Sequence, residues 1–591
     1  MKFSPIPFSD LHPDSFLSNY TKGDSKLESF YSFFPLSSNT LKDISNKKVN
    51  SLQSTFTSSR AEIVEALKEL HQYLGIVESQ ATLRTRLLQE DCYCVVTGQQ
   101  LSWYGGPLYT YFKLMSAIQW SKRISKELAK TVIPVFWLAD EDHDYAEINQ
   151  INWYQSSNDL GYFEHESLVR QFHADVKQEL LKQQVGMPVG QIKGDSPLVT
   201  NEFFDWLSKQ YFNEQATTDK SEEQLDRKNV KPRALFRKNT WIESFLQEAK
   251  EAYSEDKTHS QNFSQWITNV FDGYDFLIAG SNHGSIKKLL SPIIQKAVTN
   301  DYSITELLKN QTACVIEKTG QSQVTVMDSQ WFVFNEEAKR VKLYRDSTNS
   351  HSFQQNGVSK TLTHDELKKL TKLHPEKFSP NVFLRPILQD HLLPVIAYVG
   401  GPAEIAYHGQ MKTMYEFFGM DMPILIPRFS ATIREKKVHR LMEKFPFSLA
   451  RYQASSSTLK NNWLASLPEQ FPDAKIDDLE LNMLQYYRSQ ALDILSFDPT
   501  LEGSIGKTEN DIHKAIQSLK KKAKQVHESK FERELGQLHF LQSYLFPKGP
   551  MERVLHPTYF MLHYGKNFWQ DLLRELLDYE TDISQHYIID L

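Results

Sequence analysis

The sequence has few cysteines, no excess of one charge and no long apolar run. Three cysteines among 591 residues cannot form a disulfide framework, which favours a reducing compartment. Lys and Arg number 67 against 73 Asp and Glu, so the basic excess typical of nucleic-acid-binding proteins is missing. The apolar run Leu393–Val399 is far shorter than the ~20 residues that a membrane-spanning helix needs. We therefore expect a cytoplasmic protein with neither a nucleic-acid nor a membrane partner.

Several well-known ligand motifs are also missing. Neither of the turns Gly105–Pro107 and Gly400–Pro402 is a Walker phosphate loop, since no Gly-Lys-Ser/Thr follows it, and neither is a G-x-G-x-x-G dinucleotide fingerprint. It has no H-x-x-x-H or C-x-x-C pair at metal-ligand spacing, so we predict no protein-held metal site. The composition is otherwise that of a globular protein, with 40% hydrophobic and 24% charged residues. At roughly 150 residues per domain, this length predicts about four structural units.

A strand, a glycine turn and a helix follow one another near residue 100. The apolar run 93–96 is rich in strand-forming residues, and the turn Gly105–Pro107 separates it from a helical pattern over 108–128. A second apolar strand follows at Val132–Leu138. This order predicts one βαβ unit.

The same order recurs near residue 400. An apolar strand over 394–399 leads into the turn Gly400–Pro402, a helix over 403–418 and a strand over 423–426. A third candidate strand lies at 276–279, also before a glycine-containing turn and a helix. Near-continuous apolar strands of this kind are typical of parallel sheets covered on both faces, so we predict an α/β fold.

Between and after these units the character of the chain changes. The region 311–377 is predicted to be a β-rich insertion, with antiparallel strands at 313–316, 324–327, 331–334 and 341–344. We predict seven segments in all: an N-terminal helical part (1–91), the first βαβ unit (92–155), an insertion (156–270), a continuation of the core (271–310), the β-rich insertion (311–377), the second βαβ unit (378–432) and a helical region (433–591).

The helical region contains an apolar stripe with coiled-coil spacing. Apolar residues from Ile512 to Val526 recur in steps of four and three, and the register breaks near Lys530. Such a stripe must be covered. A second copy of the chain would cover it in a dimer, and the helix around 479–495 would cover it by folding back as a hairpin. The pattern alone favours neither alternative.

The two glycine turns are candidate anion sites. A glycine turn at a helix start presents free backbone N–H groups and the positive end of the helix dipole. Tight turns needed only for helix–sheet packing are the alternative. Polar side chains surround both turns: Thr97, Gln99, Gln100 and Tyr109 at the first, and Glu404 at the second. Open α/β sheets bind ligands at such strand ends.

An acidic cluster, Asp140–Asp144, follows the strand Val132–Leu138. Its four carboxylates repel one another, so we expect them at the surface or beside a positive group such as an amine or a cation. His143 lies within the cluster and is a candidate general base. A solvated loop that caps a helix is the alternative interpretation.

Polar residues also lie near the second βαβ unit. Arg385 precedes its first strand, and Arg428 and Ser430 follow its last strand. A single arginine most often forms a structural ion pair. The clustering of polar side chains at successive strand ends is what indicates a binding site.

Six segments together resemble the BshC family of cysteine ligases of bacillithiol biosynthesis. They span most of the chain between residues 92 and 430: 95–100, 105–110, 134–144, 378–386, 397–407 and 422–428. The resemblance implies a Rossmann-like core akin to that of class I aminoacyl-tRNA synthetases. It also implies connecting-peptide insertions and a C-terminal α-helical coiled-coil domain through which the protein forms a homodimer.

The resemblance further implies an enzyme that adds cysteine to glucosaminyl-malate through an amide bond, with ATP or another nucleotide, and Mg, to activate the carboxylate. On this basis Asp142 and His143 would hold or deprotonate the amine, and Arg428 would offset negative charge. The expected substrate- or nucleotide-binding residues are Thr97, Gln99, Gln100, Gly105, Gly106, Tyr109, Arg385, Gly400, Gly401, Glu404 and Ser430. The alternatives are a related ATP-dependent acyl or nucleotidyl transferase on another small amine, and a non-catalytic coiled-coil assembly protein.

Overall fold

The computed structural model describes residues 1–144, 148, 150–154, 169–173, 186–191, 240–253, 256–347, 350–469 and 471–591. Most of the predicted insertion at 156–270 lies outside these residues. The described chain forms two compact units. The first contains the described residues up to Glu435 together with Gly549–Leu591, and the second contains Lys436–Lys548. None of the described helices is both long enough and apolar enough to cross a membrane.

The strands are numbered in chain order: β1 (Lys2–Pro7), β2 (Cys92–Gln99), β3 (Thr131–Leu138), β4 (Gln150–Tyr154), β5 (Val169–His173), β6 (Leu277–Gly280), β7 (Trp331–Phe334), β8 (Arg340–Lys342), β9 (Tyr344–Ser347), β10 (Ser350–Gln355), β11 (Val358–Thr363), β12 (Phe378–Pro380), β13 (Val395–Gly400), β14 (Ile424–Pro427), β15 (Ala431–Arg434) and β16 (Gln585–Asp590). The α-helices of the first unit are Phe8–Leu11, Phe16–Lys22, Leu41–Thr55, Arg60–Leu74, Ala81–Arg86, Leu108–Leu128, Thr240–Ala252, His259–Val270, Gly284–Thr299, Asp301–Thr319, His364–Leu373, Leu384–Leu392, Pro402–His408, Lys412–Phe418, Met551–Val554, Thr558–Tyr564 and Phe568–Asp578. Those of the second unit are Lys436–Met442, Ser456–Ser466, Asp473–Phe497, Glu502–Ser529 and Glu532–Leu545.

A five-stranded parallel sheet forms the centre of the first unit, in the order β14–β13–β2–β3–β6. All residues of β13 and β14 are buried, as expected for strands covered on both faces. The chain begins this sheet at β2, builds outward through β3 and β6, and then returns to the other side of β2 with β13. The strand order therefore reverses between β2 and β13, and in open α/β sheets ligands bind at such a point. The predicted Rossmann-like α/β core is confirmed.

A second, three-stranded sheet joins distant parts of the sequence. Strand β16 pairs antiparallel with β1 and parallel with β15. Sequence analysis assigned residues 433–591 to a helical region and missed β16. In the structure, residues 549–591 pack in the first unit, and only residues 436–548 form the separate helical unit.

Three predictions of local structure were wrong. Residues 313–316 were predicted as a strand, but they lie inside the helix Asp301–Thr319, and no strand forms at 324–327. Ile304, Leu308 and Val315 are buried on one face of that helix. The helical spacing of buried residues over this longer segment therefore outweighs the strand-like apolar run at 313–316. The helix predicted over 403–418 is two helices, Pro402–His408 and Lys412–Phe418.

The second unit contains a helical hairpin formed by Asp473–Phe497 and Glu502–Ser529. Tyr487 Oη donates a hydrogen bond to the carbonyl oxygen of Ile505 across the pair, at 3.0 Å. Ile516 is buried, whereas Leu519 and Val526 are 53% and 62% exposed. The hairpin alternative is therefore present in the chain, and it covers only part of the predicted stripe. The helix Glu502–Ser529 ends next to Lys530, where sequence analysis predicted the break.

Candidate functional site

The carboxyl ends of β2 and β13 form a polar crevice at the point where the strand order reverses. Gln99 ends β2, and its Nε2 donates to Tyr109 Oη at 3.1 Å. Tyr109 lies in the helix Leu108–Leu128. Lys113, one turn further along that helix, donates to Gln99 Oε1 at 2.9 Å and to the Gly98 carbonyl oxygen at 2.8 Å. We call this region the switch-point crevice, and its residues are Gln99, Tyr109, Lys113, Arg385, Gly401, Glu404 and Arg428.

A buried ion pair connects the two sides of the crevice. Lys113 Nζ contacts Glu404 Oε2, and both side chains are buried, with exposures of 4% and 15%. The same carboxylate accepts the Gly401 N–H at 2.8 Å and a hydrogen bond from Tyr398 Oη. Burial alone would raise the pKa of Glu404, but Lys113 and Tyr398 outweigh it and lower the pKa to about 2. Glu404 is therefore a fixed anion that holds the backbone of Gly401 in place.

Arg428 forms one wall of the crevice and is held by a second buried carboxylate. Its Nη2 donates to Glu552 Oε1 at 2.6 Å, and its guanidinium carbon lies 5.7 Å from the centre of the Tyr109 ring. Glu552 Oε2 also accepts from Ser430 Oγ at 2.9 Å, and that hydroxyl contacts His586 Nδ1 at 2.8 Å. Burial lowers the pKa of His586 to about 4, so the imidazole is neutral near pH 7. Arg428 and Ser430 are thus built into a buried network.

Arg385 is the cation of the crevice that has no carboxylate of its own. Its Nη2 donates to Tyr407 Oη at 3.1 Å. Within the described part of the chain, no carboxylate oxygen lies within 4.0 Å of its guanidinium group. Burial would lower the pKa of Arg385, but Tyr407, Tyr398 and Glu404 together raise it, so the group stays charged. A half-buried guanidinium of this kind is suited to binding a carboxylate or a phosphate.

A cavity of about 430 Å³ lies beside Asp142 and His143. We call it the Asp142 cavity, and its other lining residues are Asp144, Met327, Phe332, Arg340, Asn381 and Val382. Gln100 Nε2 donates to Asp142 Oδ2 at 3.0 Å, and Arg340 Nη1 donates to Oδ1 at 3.3 Å. Burial would raise the pKa of Asp142, but contacts with His143 and Arg340 outweigh it and hold the pKa well below its ordinary range. Asp142 is therefore an ionised, partly exposed carboxylate on the cavity wall.

Two consecutive glutamines connect these sites. Gln99 reaches Tyr109 and Lys113 in the switch-point crevice, while Gln100 reaches Asp142 at the cavity. Gln99 is the last residue of β2, and Gln100 follows it. The crevice and the cavity are therefore neighbours at the carboxyl end of β2.

The acidic cluster does not face outward as a whole. Asp140 and Glu141 are buried, with Ser260 Oγ donating to Asp140 at 3.0 Å and Lys287 Nζ lying 2.9 Å from Glu141. Burial, with the charge of Glu141, raises the pKa of Asp140 to about 7. These two carboxylates hold the fold around β3, and only Asp142, His143 and Asp144 line the cavity. Sequence reasoning did not foresee this division.

The first glycine turn is a packing turn. The N–H groups of Gly105 and Gly106 donate to the carbonyl oxygens of Ser102 and Trp103, and the N–H of Leu108 donates to Leu555. These amides are used within the chain, which corrects the expectation that they bind an anion. The turn brings Tyr109 into the crevice instead.

Three other predicted binding residues serve the fold. Thr97 is fully buried, and its Oγ1 donates to the carbonyl oxygen of Val399 at 2.9 Å, which ties β2 to β13. Ser430 is buried against Glu552 and His586. Gly400 accepts the N–H of Arg428 at 2.9 Å and thereby fixes the end of β13. The structure brings the remaining predicted residues to the crevice or the cavity.

Three residues of the site escaped sequence reasoning. Lys113 is the one cation in the mostly apolar stretch 108–121, the first part of its helix, and that contrast was a usable signal. Arg340 lies in β8, within a region assigned only as an insertion. Glu552 lies more than 120 positions from its partner Arg428, and no local pattern connects the two. Among the described residues, no three His, Cys, Asp or Glu side chains are grouped so that they could hold a metal ion.

The chain is similar along its whole length to one protein family. Residues 1–193 and 199–429 match the family model described as the N-terminal Rossmann-like domain of bacillithiol biosynthesis BshC. Residues 431–591 match the model described as the C-terminal coiled-coil domain of the same proteins.

Two individual relatives agree with these matches. A Bacillus cytotoxicus protein named "Putative cysteine ligase BshC" is 26% identical over 97% of this chain and 98% of its own. The protein of the same name from Prosthecochloris aestuarii is 26% identical over 90% of each chain. A solved Campylobacter jejuni chain described as a putative arginyl-tRNA synthetase covers 90% of this chain and 99% of its own, with 9% identity and a TM-score of 0.21. Since both family models match in order and together span nearly all of its residues, the chain belongs to the BshC family of bacillithiol biosynthesis.

Proposed function

We propose that the protein is a cysteine ligase that joins the carboxylate of cysteine to the amine of glucosaminyl-malate through an amide bond. One observation carries the proposal: a cationic crevice and an anionic cavity lie side by side at the carboxyl edge of the sheet. Such a pair suits one negatively charged and one positively charged reactant. The names of the full-length relatives support cysteine as the substrate.

The switch-point crevice would hold the carboxylate and the nucleotide. Among the described residues Arg385 has no carboxylate partner, and Gln99 and Tyr109 provide neutral hydrogen-bonding groups in the same crevice. This donor set fits phosphate or carboxylate oxygens. A bound nucleotide, with Mg on its phosphates, supplies the leaving group that a carboxylate lacks. Arg428 and Lys113 are each compensated by a carboxylate, Glu552 and Glu404, so the uncompensated positive charge of the crevice is that of Arg385.

The Asp142 cavity would hold the amine. Asp142 is ionised, so it stabilises an ammonium group that approaches from the cavity. His143 lies beside it, with its Nδ1 3.4 Å from Asp142 Oδ1. Gln100 fixes the carboxylate from the side of the crevice. The amine would thus be oriented toward the carbon held next to Arg385, and orientation of this kind accelerates bond formation.

The decisive experiment incubates the purified protein with cysteine, glucosaminyl-malate and ATP and measures the product by mass spectrometry. We expect the mass of the amide product, and none when the nucleotide is left out. Asp142→Asn should lower turnover strongly, whereas Asp91→Asn, at an exposed carboxylate just before β2, serves as the matched control. Product formed only with a different amine would favour a related acyl or nucleotidyl transferase. No turnover of any amine would favour a non-catalytic assembly protein.

We further propose that the protein is a homodimer through its helical hairpin. The hairpin buries Ile516 but leaves large apolar side chains exposed, among them Leu519 at 53% and Phe497 at 88%. Exposed apolar surface on a coiled-coil hairpin is a candidate subunit interface. Light scattering should give a dimer for the wild type and a monomer for Leu519→Lys. Ile316→Lys, at an exposed apolar residue of the first unit, is the matched control. A monomeric wild type at micromolar concentration would contradict the proposal.

A further inference from the structure

Arg340 is held rigidly at the Asp142 cavity by groups other than Asp142. Its Nε donates to Ser379 Oγ at 2.9 Å and its Nη2 donates to the Pro380 carbonyl oxygen at 3.0 Å. Its guanidinium carbon lies 3.7 Å from the centre of the Phe332 ring, and the side chain is 7% exposed. These contacts leave Nη1 as the nitrogen that reaches the cavity. The position of Nη1 is therefore set by the fold.

Nη1 lies 3.1 Å from Nδ1 of His143. A guanidinium group has only donors, so in this contact Nδ1 must be the acceptor. A neutral imidazole carries one hydrogen, which then resides on Nε2. Within the described residues, Nε2 has no hydrogen-bond partner, and the side chain is 39% exposed. The free hydrogen of His143 is thus available to a molecule in the cavity.

We infer that Arg340 is a positioning residue that fixes His143 as the Nε2–H tautomer, so that His143 donates a hydrogen bond to an oxygen atom of the substrate. This inference rests on the proposed ligase function for the identity of that oxygen, which is the carbonyl oxygen of the carboxylate that becomes the amide. It also changes the expected role of His143. With Nδ1 accepting from Arg340, His143 is not the acceptor of the amine's proton. The Asp142 carboxylate that holds the amine accepts that proton as the C–N bond forms, and the nucleotide leaves with the oxygen of the activated carboxylate.

The opposite tautomer would place a hydrogen on Nδ1 and direct it to Asp142 Oδ1, which lies 3.4 Å away. Two contacts disfavour it. The hydrogen would face the donor Nη1 of Arg340 at 3.1 Å. Moreover, Oδ1 already accepts the backbone N–H of His143 at 2.7 Å and Arg340 Nη1 at 3.3 Å. The side-chain contact of His143 with Asp142, which helps to lower the pKa of that carboxyl, favours the Nδ1–H form, but at 3.4 Å it is longer than the 3.1 Å contact with Arg340. The shorter Arg340 contact therefore decides the tautomer.

Nitrogen-15 NMR of the full-length protein labelled at histidine measures the tautomer directly. The His143 signals are identified by their loss in His143→Gln. We expect the Nε2–H pattern in the wild type and in Asp142→Asn. Arg340→Gln should lose that pattern and gain Nδ1–H, because Asp142 then becomes the acceptor. Lys342→Gln, which removes a cation from the same strand, should leave the spectrum unchanged.

A second variant and a kinetic measurement keep the test independent of folding. Arg340→Lys retains a donor, and it should restore at least part of the Nε2–H signal. For the ligase reaction, we expect Arg340→Gln to lower kcat about a hundredfold with an unchanged KM for cysteine, as for the loss of one donor to a developing oxyanion. Nδ1–H in the wild type, or a tautomer that changes with Asp142→Asn instead of Arg340→Gln, would overturn the inference. The NMR result needs no substrate, so failure of the ligase assay alone would reject the proposed function and leave the tautomer assignment intact.

Discussion

Two junctions with the same Gly-Gly-Pro pattern have different structures and different roles. At the first, Gly105 and Gly106 have φ of +86° and +70°, and the turn packs against Tyr111 and Ser102. At the second, Gly401 has φ of −75°, which any residue can adopt, and its N–H donates to Glu404. The first junction is a packing turn, while the second is a wall of the crevice. The motif locates a turn after a strand, and the neighbouring side chains determine what that turn does.

The largest loss of stability is expected when the ion pair between Lys113 and Glu404, which connects the two junctions, is broken. Lys113→Met, in the helix that follows the first junction, leaves the carboxylate of Glu404 at the second junction buried and unpaired. We expect the free energy of unfolding to fall by about 3–5 kcal/mol, measured by chemical denaturation. Lys122→Met, on the exposed face of the same helix, should change it by less than about 0.5 kcal/mol. Equal losses in the two variants would contradict a coupled, buried pair.

Lowering the pH should also remove the stabilising contribution of the Lys113–Glu404 ion pair. Because the pKa of Glu404 is lowered from 4.5 to about 2 in the folded chain, its stabilising effect is present above pH 4.5 and is lost as the pH falls toward 2. The difference in stability between the wild type and Lys113→Met should therefore shrink on acidification across that range. A stability difference that stays constant down to pH 2 would show that Glu404 is not the group through which Lys113 stabilises the fold.

Gly105→Ala tests the first junction as a packing turn. A Cβ atom there would lie 2.2 Å from Tyr111 Cε1, on a backbone with φ of +86°. We expect a loss of about 2–4 kcal/mol in the free energy of unfolding, from overpacking together with backbone strain. Gly419→Ala is the matched control, since its φ is +76° and nothing lies within 4 Å of the added atom. The control substitution should lower the free energy of unfolding by only about 1 kcal/mol.

Arg385→Gln tests the second junction as part of a binding site. A hydrogen bond to a charged group contributes about 1.5–3 kcal/mol, so we expect the KM for the anionic reactants to rise about tenfold to a hundredfold. Tyr407→Phe removes the hydroxyl that holds Arg385, and it should raise KM in the same direction by a smaller factor. An unchanged KM in a folded Arg385→Gln protein would remove this arginine from the binding site.

The smallest change in stability is expected for Gly401→Ala. The added Cβ atom would lie 3.5 Å from Glu404 Oε2 and 3.7 Å from Arg428 Nε, both ordinary contacts. We expect the free energy of unfolding to change by less than about 0.5 kcal/mol. Thermal unfolding of this variant beside Gly105→Ala gives the comparison directly. A large loss at Gly401 would remove the distinction between the two junctions.

The parallel core was predictable because its signals are local. The apolar strands at 93–96, 132–138 and 423–426 stand next to turns and helices in the sequence, and each is a core strand in the structure. The helix Arg60–Leu74 likewise has local boundary signals, a side-chain cap from Ser59 at its start and Gly75 at its end. Such strands and helices are specified by short stretches of neighbouring residues, so the sequence alone is enough to locate them.

The partners within the site were not predictable in the same way. Arg428 looks like a free cation in the sequence, and only the fold brings Glu552 to it. Asp140 and Asp142 differ by two positions, yet one is buried beside Ser260 and the other lines a cavity. Burial and charge pairing over such distances depend on tertiary structure, so residue type and spacing predict which groups gather at an edge but not which of them stay available to a ligand.

The sheet that joins β1, β15 and β16 has a consequence for synthesis on the ribosome. Strand β1 pairs with residues 585–590, and Arg428 pairs with Glu552. Residues 436–548 of the second unit are translated before either of these later partners. At about 5–20 residues per second, the ribosome needs roughly 8–30 s to translate from residue 436 to residue 590. During that interval the parallel strands are all present, but Arg428 has no carboxylate and β1 has no neighbour. The crevice is therefore completed late in translation, after most of the Rossmann-like core has left the ribosome.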